Sequence, residues 1–253
     1  MTRAITAMTS TLFLMAFSAG AGAQTSDTSM VHLGPPEGGT VAFVAWPAGK
    51  AAAPGVVVVQ EWWGLNHQIR DVARRLAREG YVAIVPDLYH GKVAVDAEQA
   101  HVLVRGLENE TALADLGNAI RWLRAEPRVG KKKIGVVGFC VGGGLAQGLA
   151  LKSAEISAVV MFYGSPVTDP KSLATLRAPL QGHFGETDDG IPIVKVEALK
   201  KGLKQAGKPG EVFLYAGAGH AFMNDTGASY HPDAARQAWA RTLAFFQKNL
   251  RRA

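Results

Sequence analysis

A single cysteine, Cys140, in 253 residues excludes any intrachain disulfide, so an oxidising compartment would act on this thiol alone. Long apolar runs are also missing: beyond the first residues nothing reaches the length of about 20 that a membrane span needs. Charge is nearly balanced, with 27 Lys and Arg against 21 Asp and Glu for a net +6. The basic residues are scattered except for the short runs at 131–133 and 251–252, which read as solvated faces. No basic stripe is interleaved with aromatics, so nucleic acid is not an expected partner. His67, His90, His101, His183 and His231 form no pair with metal-ligand spacing. No metal and no cofactor are expected. Internal repeats and low-complexity segments are absent.

What is present at the N-terminus is Arg3, an apolar stretch centred on Leu12 to Phe17 and the small residues Ala21, Gly22 and Ala23, the layout of a secretory signal cleaved before Gln24. The expected mature chain, 24–253, is one α/β domain with ample length for a core. An exported, periplasmic monomer without stable membrane insertion is the simplest expectation. The stretch 24–30, rich in Ser, Thr and Asp, is expected to be unstructured.

Short β-branched or aromatic runs at 41–46, 56–60, 82–85, 134–139, 158–162, 180–185 and 212–215 predict strands. Between them, apolar residues three and four apart predict helices at 67–79, 96–105, 111–125, 141–152, 193–205 and 233–250. Near-continuous apolar strands such as Val56 to Val59 imply burial on both faces, hence a mostly parallel sheet covered by helices on both sides. In such a sheet functional groups gather at the carboxyl ends of the strands. Glu61, Cys140, Asp188 and His220 each follow a different predicted strand.

Cys140 lies in Gly138-Phe139-Cys140-Val141-Gly142, the small-x-nucleophile-x-small spacing of a strand-to-helix nucleophile elbow. The following helix would aim its free N–H groups at the sulfur and favour the thiolate. Persistence of a free thiol in an oxidising compartment calls for protection, such as burial at the base of a pocket. The chain order Cys140, Asp188, His220 is that of an α/β-hydrolase triad. Such a thiol needs an imidazole to take and return its proton, and a carboxylate to fix the tautomer and stabilise the imidazolium. Acyl transfer also requires donors for the developing oxyanion, and the Val141 N–H, directly after the nucleophile, is one.

Taken with Gln60-Glu61-Trp62-Trp63-Gly64, Val85-Pro86-Asp87-Leu88-Tyr89, Gly185-Glu186-Thr187-Asp188-Asp189 and Gly219-His220-Ala221-Phe222, the elbow makes the chain resemble the dienelactone hydrolase family of α/β-hydrolases over about 41–246. The resemblance implies Cys140 as nucleophile, His220 as base and Asp188 as its orienting acid. It further implies that Glu61 contacts the thiol region and helps switch Cys140 between protonated and thiolate forms, and that the Trp62 N–H is the second oxyanion donor. Trp63, Phe222 and Asn224 are expected to contact substrate. The namesake enzymes hold a carboxylated lactone with arginines, one of them four residues after the catalytic histidine. Here that position is Asn224, and the stretch after Tyr89 offers only Lys92 and Arg105. Without a bidentate carboxylate clamp, the expected substrate is a small ester or lactone with a neutral acyl or alcohol part.

Two other classes compete with the esterase reading. A catalytically dead ligand-binding protein would have no need of all three triad residues. A thiol redox protein would lack a resolving cysteine, whereas an acyltransferase would use the same triad and differ only in its product. The segment 91–110 is a candidate cover for the site.

Overall fold

The computed structural model describes residues 27–251, so the segment 1–23, read above as an export signal, lies outside the described residues. An eight-stranded sheet runs in the order β1-β2-β4-β3-β5-β6-β7-β8. Its strands are β1 (Thr28–Leu33), β2 (Thr40–Ala45), β3 (Gly55–Val59), β4 (Val82–Pro86), β5 (Ile134–Phe139), β6 (Ile156–Phe162), β7 (Leu180–Gly185) and β8 (Gly210–Tyr215). From β4 to β8 all neighbours pair in parallel, whereas β2 runs antiparallel to both β1 and β4.

Period-two alternation splits the valines of β3 between the two faces. Val57 and Val59 join a core with Leu116 and Ile120 of α3 (Asn109–Ala125), Leu145 and Leu149 of α4 (Val141–Lys152) and Leu199 of α6 (Ile193–Gln205). On the other face Val56 and Val58 meet Ile69 and Leu76 of α1 (His67–Arg78) and Ala238 and Phe246 of α7 (Pro232–Phe246). Full burial of each such valine is worth about 1.5–3 kcal/mol, which explains why the central strands carry no polar alternation.

Three local expectations are corrected. Residues Thr28, Ser29 and Met30, expected to be unstructured, belong to β1 and pair with Ala45, Val44 and Phe43. β1 is a half-exposed edge strand with a single fully buried residue, Leu33, so its apolar signal is weak. A short helix, α5 (Pro170–Leu173), is capped by the Asp169 carboxylate accepting from the Ser172 N–H at 2.8 Å. The last helix stops at Phe246 and continues as a π-helical turn, Gln247–Arg251, which drops Leu250 into the core beside Gly135.

The segment after Tyr89 carries α2 (Ala97–Arg105), whose one buried residue is Ala100. It is tied to the site loop by an isolated bridge between Gly64 and Val93 and by the Ala94 N–H donating to the Trp63 carbonyl at 3.0 Å. His101 sets its ring edge-on to Trp62 with centroids 4.9 Å apart.

The elbow brings β3 and β5 together without room for side chains. A Cβ at Gly138 would collide with the Gly142 carbonyl, and one at Gly142 with the Gln60 and Val59 carbonyls. Because each obstacle is backbone, no rotamer change relieves it. Gly138→Ala and Gly142→Ala should each cost about 3 kcal/mol or more in urea denaturation. Gly148, in the interior of the same helix, is the control: its Cβ would sit 3.8 Å from Leu113, an ordinary contact. Gly148→Ala should be neutral or stabilising by up to about 1 kcal/mol.

His183 on β7 is fully buried, with Nδ1 2.7 Å from the Tyr215 hydroxyl and Nε2 3.0 Å from Gln181 Oε1. Burial, reinforced by the charge of Arg241, pushes its pKa down to about 3. The unfolded chain takes up this proton near pH 6.5 and the folded chain only near 3, so the unfolded state binds more protons in between. Stability should therefore fall with decreasing pH across that window, by up to about 1.4 kcal/mol per unit from this group. Acid titration of chemical denaturation should give a shallower slope for His183→Gln; an unchanged slope would contradict the assignment.

Candidate active site

Each site residue is delivered by the carboxyl end of a strand. β3 leads into Glu61 and Trp62, β5 into Cys140, β6 into Tyr163, β7 into the Asp188 loop and β8 into the His220 loop. These five strands are consecutive neighbours in the sheet, so the residues that follow them share one edge.

Cys140 has φ 53° and ψ −121°, a conformation that L-residues avoid, at the junction of β5 and α4. The strain is held by neighbours: the Cys140 N–H donates to the Phe162 carbonyl at 3.0 Å, and its own carbonyl accepts from the Gly143 N–H at 2.9 Å. Tyr163 at φ 37° and Ala221 at φ 60° are also left-handed. Of four non-glycine residues with positive φ among the described residues, these three lie within or next to the site. As the first residue of α4, Val141 offers one of the N–H groups that a helix leaves without an internal partner.

Cys140, His220 and Asp188 form a continuous line. His220 Nε2 lies 3.2 Å from Cys140 Sγ, and His220 Nδ1 lies 2.8 Å from Asp188 Oδ2. The second Asp188 oxygen accepts from the Gly190 N–H at 2.8 Å and the Ile191 N–H at 3.0 Å, so the buried carboxylate is oriented from both sides. Burial alone would raise the Asp188 pKa, but the hydrogen bond and charge of His220 and the two N–H donors hold it below the ordinary value. For His220, burial would lower the pKa; hydrogen bonds to Asp188 and Cys140, and then the charges of both, outweigh it and raise it to about 10. The imidazolium is thus the favoured form between the Cys140 sulfur and the Asp188 carboxylate.

Glu61 is buried and lines the same cavity as Cys140, while its hydrogen bonds go to partners other than the thiol. Its Oε1 accepts from the Tyr163 hydroxyl at 2.9 Å and its Oε2 from Asn224 Nδ2 at 2.7 Å. Burial raises its pKa, against the opposing effects of these two donors and of the His220 charge. Asn224, expected to contact substrate, spends its donor on Glu61 and its Oδ1 on the Thr226 N–H and hydroxyl, at 3.0 and 2.7 Å. Phe222, expected on the same wall, is fully buried under Tyr163, Phe162 and Tyr215, with ring centroids 5.3, 6.2 and 5.2 Å away. A fully buried ring has no face left for substrate.

A cavity of about 380 Å³ opens over the triad, lined by Glu61, Trp62, Trp63, Cys140, His220, Ala221, Asn224 and residues 227–229. It includes no Lys or Arg. Trp62 and Trp63 meet edge to face at 5.1 Å and supply most of its aromatic wall. A larger groove of about 560 Å³ lies at the opposite, amino edge of the sheet beside Lys131, Lys132 and Lys133, and its lining includes no Cys, Ser or His. Among the described residues no group of three His, Cys, Asp or Glu is placed to hold a metal ion, and no helix is long and apolar enough to cross a membrane.

Sequence reasoning missed Tyr163 and the 227–229 rim. Tyr163 does follow a strand, as the other site residues do, but it reads as the last aromatic of the apolar run ending at Phe162. The rim is a turn of small residues, Gly227, Ala228 and Ser229, that acquires meaning only when folded against the triad.

Residues 41–250 match the model of the dienelactone hydrolase family. A protein of Escherichia coli K12 named "Putative carboxymethylenebutenolidase" is 36% identical over 210 residues, 77% of this chain and 77% of that protein. A Bradyrhizobium protein named "Probable 2-oxo-3-(5-oxofuran-2-ylidene)propanoate lactonase" is 33% identical over 223 residues, 83% of this chain and 90% of the other. The solved dienelactone hydrolase of Anabaena variabilis superposes with a TM-score of 0.68 over 89% of this chain and 99% of its own, at 20% identity, a likeness of fold.

Proposed function

The chain belongs to the dienelactone hydrolase family, and we propose that it hydrolyses small neutral esters or lactones through an acyl-enzyme on Cys140. It is a carboxylic ester hydrolase by that membership and by its relatedness to the carboxymethylenebutenolidase and lactonase proteins. The observation that carries the cysteine mechanism is the hydrogen-bonded line from Sγ through His220 to Asp188, at 3.2 and 2.8 Å.

The thiol proton passes to His220 Nε2, and the thiolate attacks the substrate carbonyl carbon. Negative charge moves to the carbonyl oxygen, where the Trp62 and Val141 N–H groups meet it; losing one such donor typically costs about 3 kcal/mol of transition-state stabilisation. Collapse of the tetrahedral species breaks the ester C–O bond, and the imidazolium returns its proton to the departing alkoxide. A water molecule, deprotonated by His220, then attacks the thioester, and the carboxylic acid leaves as the thiol reforms. Throughout, Asp188 keeps the ring in the tautomer that presents Nε2 to sulfur.

Neutral substrate follows from the cavity wall. An anionic substituent entering it would meet two tryptophans, small residues and the buried Glu61, with no lysine or arginine to offset its desolvation. Export is part of the same proposal and is supported by the N-terminal segment alone, Arg3 followed by the apolar stretch and Ala21-Gly22-Ala23.

Hydrolysis of p-nitrophenyl acetate should fall at least about a thousandfold in Cys140→Ala, with folding unchanged. Equal rates in the two proteins would end the cysteine mechanism. Across a panel of esters and lactones, kcat/KM should be highest for neutral members; 4-carboxymethylenebut-2-en-4-olide ranking first would overturn the substrate assignment. N-terminal sequencing of the osmotic-shock fraction should begin at Gln24; recovery of the full-length chain in the cytoplasm would refute export.

A further inference from the structure

A second cavity, of about 420 Å³, lies on the other side of the loop that walls the catalytic cavity. It is built by α1, α7 and the loop after His220, which contribute Arg75, Met223, Tyr230, Trp239, Ala240 and Leu243 to its lining. Apolar and aromatic groups thus surround a guanidinium, the usual make-up of a small-molecule site: a mostly apolar pocket with a few polar groups that fix orientation.

We propose that this cavity is a binding site for a small organic carboxylate with an aromatic or hydrocarbon body, held at its charged end by Arg75. The site is separate from Cys140 and goes beyond the hydrolase reading. Three observations carry it.

The first is an unspent guanidinium. Arg75 is half-buried and lies 4.2 Å from the centre of the Trp239 ring, yet among the described residues no acceptor hydrogen-bonds to its side chain and no carboxylate pairs with it. Arg128, also stacked on a tryptophan, is different: over Trp46 at 5.0 Å, it donates to the carbonyls of Pro47 and Gly49 at 2.9 and 2.6 Å. Stacking occupies the face of a guanidinium and leaves its N–H groups, which radiate in the plane, for an acceptor. Burial pushes the Arg75 pKa down, against the attraction of Asp71, Asp225 and Tyr230, but a guanidinium stays charged at any working pH. A bound carboxylate would return the desolvation that this cation has already lost.

The second is the charge of the lining. Arg75 and Arg236 supply its cations and Asp225 its one carboxylate. Arg236 is paired with Asp233 at 2.7 Å, and Asp225 is exposed and makes no ion pair with Arg75. An entering carboxylate therefore meets a cation that no internal anion has claimed, whereas the catalytic cavity offers no Lys or Arg. The third is the way the loop divides the two cavities. Asn224 and residues 227–229 line the catalytic one, while Met223, Asp225, Tyr230 and Pro232 line the second. The loop is pinned between them by the Gly227 N–H on the Asn224 carbonyl at 3.2 Å, the Tyr230 N–H on the Gly227 carbonyl at 3.2 Å and the His231 N–H on the Phe222 carbonyl at 3.0 Å. So held, Tyr230 stays 40% exposed beside the cavity, an aromatic surface open to the body of a ligand.

The test is fluorine NMR of 4-fluorobenzoate titrated with the purified protein. Its line should broaden saturably, with half-saturation at or below about a millimolar. The uncharged 4-fluorobenzamide should bind about tenfold or more weakly, and sulfate, an anion without an apolar body, should not displace the acid at equal concentration. Binding should fall about tenfold or more in Arg75→Gln. Ala240→Phe, which fills the cavity from an exposed position, should abolish it, and Asp225→Asn, which removes a like charge, should tighten it about threefold. Thermal unfolding of each variant should remain cooperative. Broadening that does not saturate in the wild type would be adventitious contact only and would overturn the proposal. So would equal binding of the amide, displacement by sulfate, or full binding retained in the folded Arg75→Gln and Ala240→Phe proteins, which would place the acid elsewhere. Binding needs no turnover and Arg75 and Ala240 line no part of the catalytic cavity, so failure of the cysteine mechanism and failure of this site stay distinguishable.

Discussion

The left-handed backbone of Cys140 is the constraint on which the site depends. A strand that must turn at once into a helix has no unstrained way to present its junction side chain outward, and φ 53° at a residue with a Cβ persists only because the surroundings over-determine it. Glycines at 138 and 142 let the turn close against the end of β3, and that closeness brings the Val141 N–H toward the loop carrying Trp62. One packing decision thus sets the candidate nucleophile, the start of α4 and the pair of candidate oxyanion donors. The parallel sheet supplies the rest, since five adjacent strands release their loops at the same edge.

Electrostatics explains the uneven burial of the charged residues. Asp188 tolerates burial because two main-chain N–H groups and His220 together outweigh its desolvation. Glu61 has neutral donors only, and burial wins. His183 has neutral partners and stays uncharged until strongly acidic pH, whereas His220, between a carboxylate and a sulfur, is driven the other way to about 10. Two histidines of one fold are separated by their neighbours into a buried neutral group and one that favours the imidazolium.

Asn224 joins the lining of the cavity to the fixing of Glu61. Where the namesake enzymes of the family carry an arginine, this chain has a neutral amide whose donor is committed to Glu61. The cavity then has no lysine or arginine in its lining for an anionic substrate, and the hydrogen-bond donors to the buried carboxylate are neutral. Both consequences follow from a single position, four residues beyond His220.

The alternation of apolar runs and the valine-rich centre of the sheet were legible in the sequence because period and burial on both faces are local properties. So was the elbow, since only small residues at 138 and 142 fit so tight a turn, and the chain order of Cys140, Asp188 and His220. The edge strand β1 was illegible because half its residues face solvent and its pairing energy comes from β2. Distant partners were illegible for a similar reason. That Glu61 is gripped by Tyr163 and Asn224, 102 and 163 residues away, that Phe222 is core and not cavity wall, and that His101 rests on Trp62 are decided by how loops from different strands meet. The sequence by itself determined which groups stand at the strand ends, because strand periodicity and chain order are one-dimensional. Only the tertiary structure decided which hydrogen bonds those groups make, because a buried donor or acceptor takes whatever partner packing brings within about 3 Å.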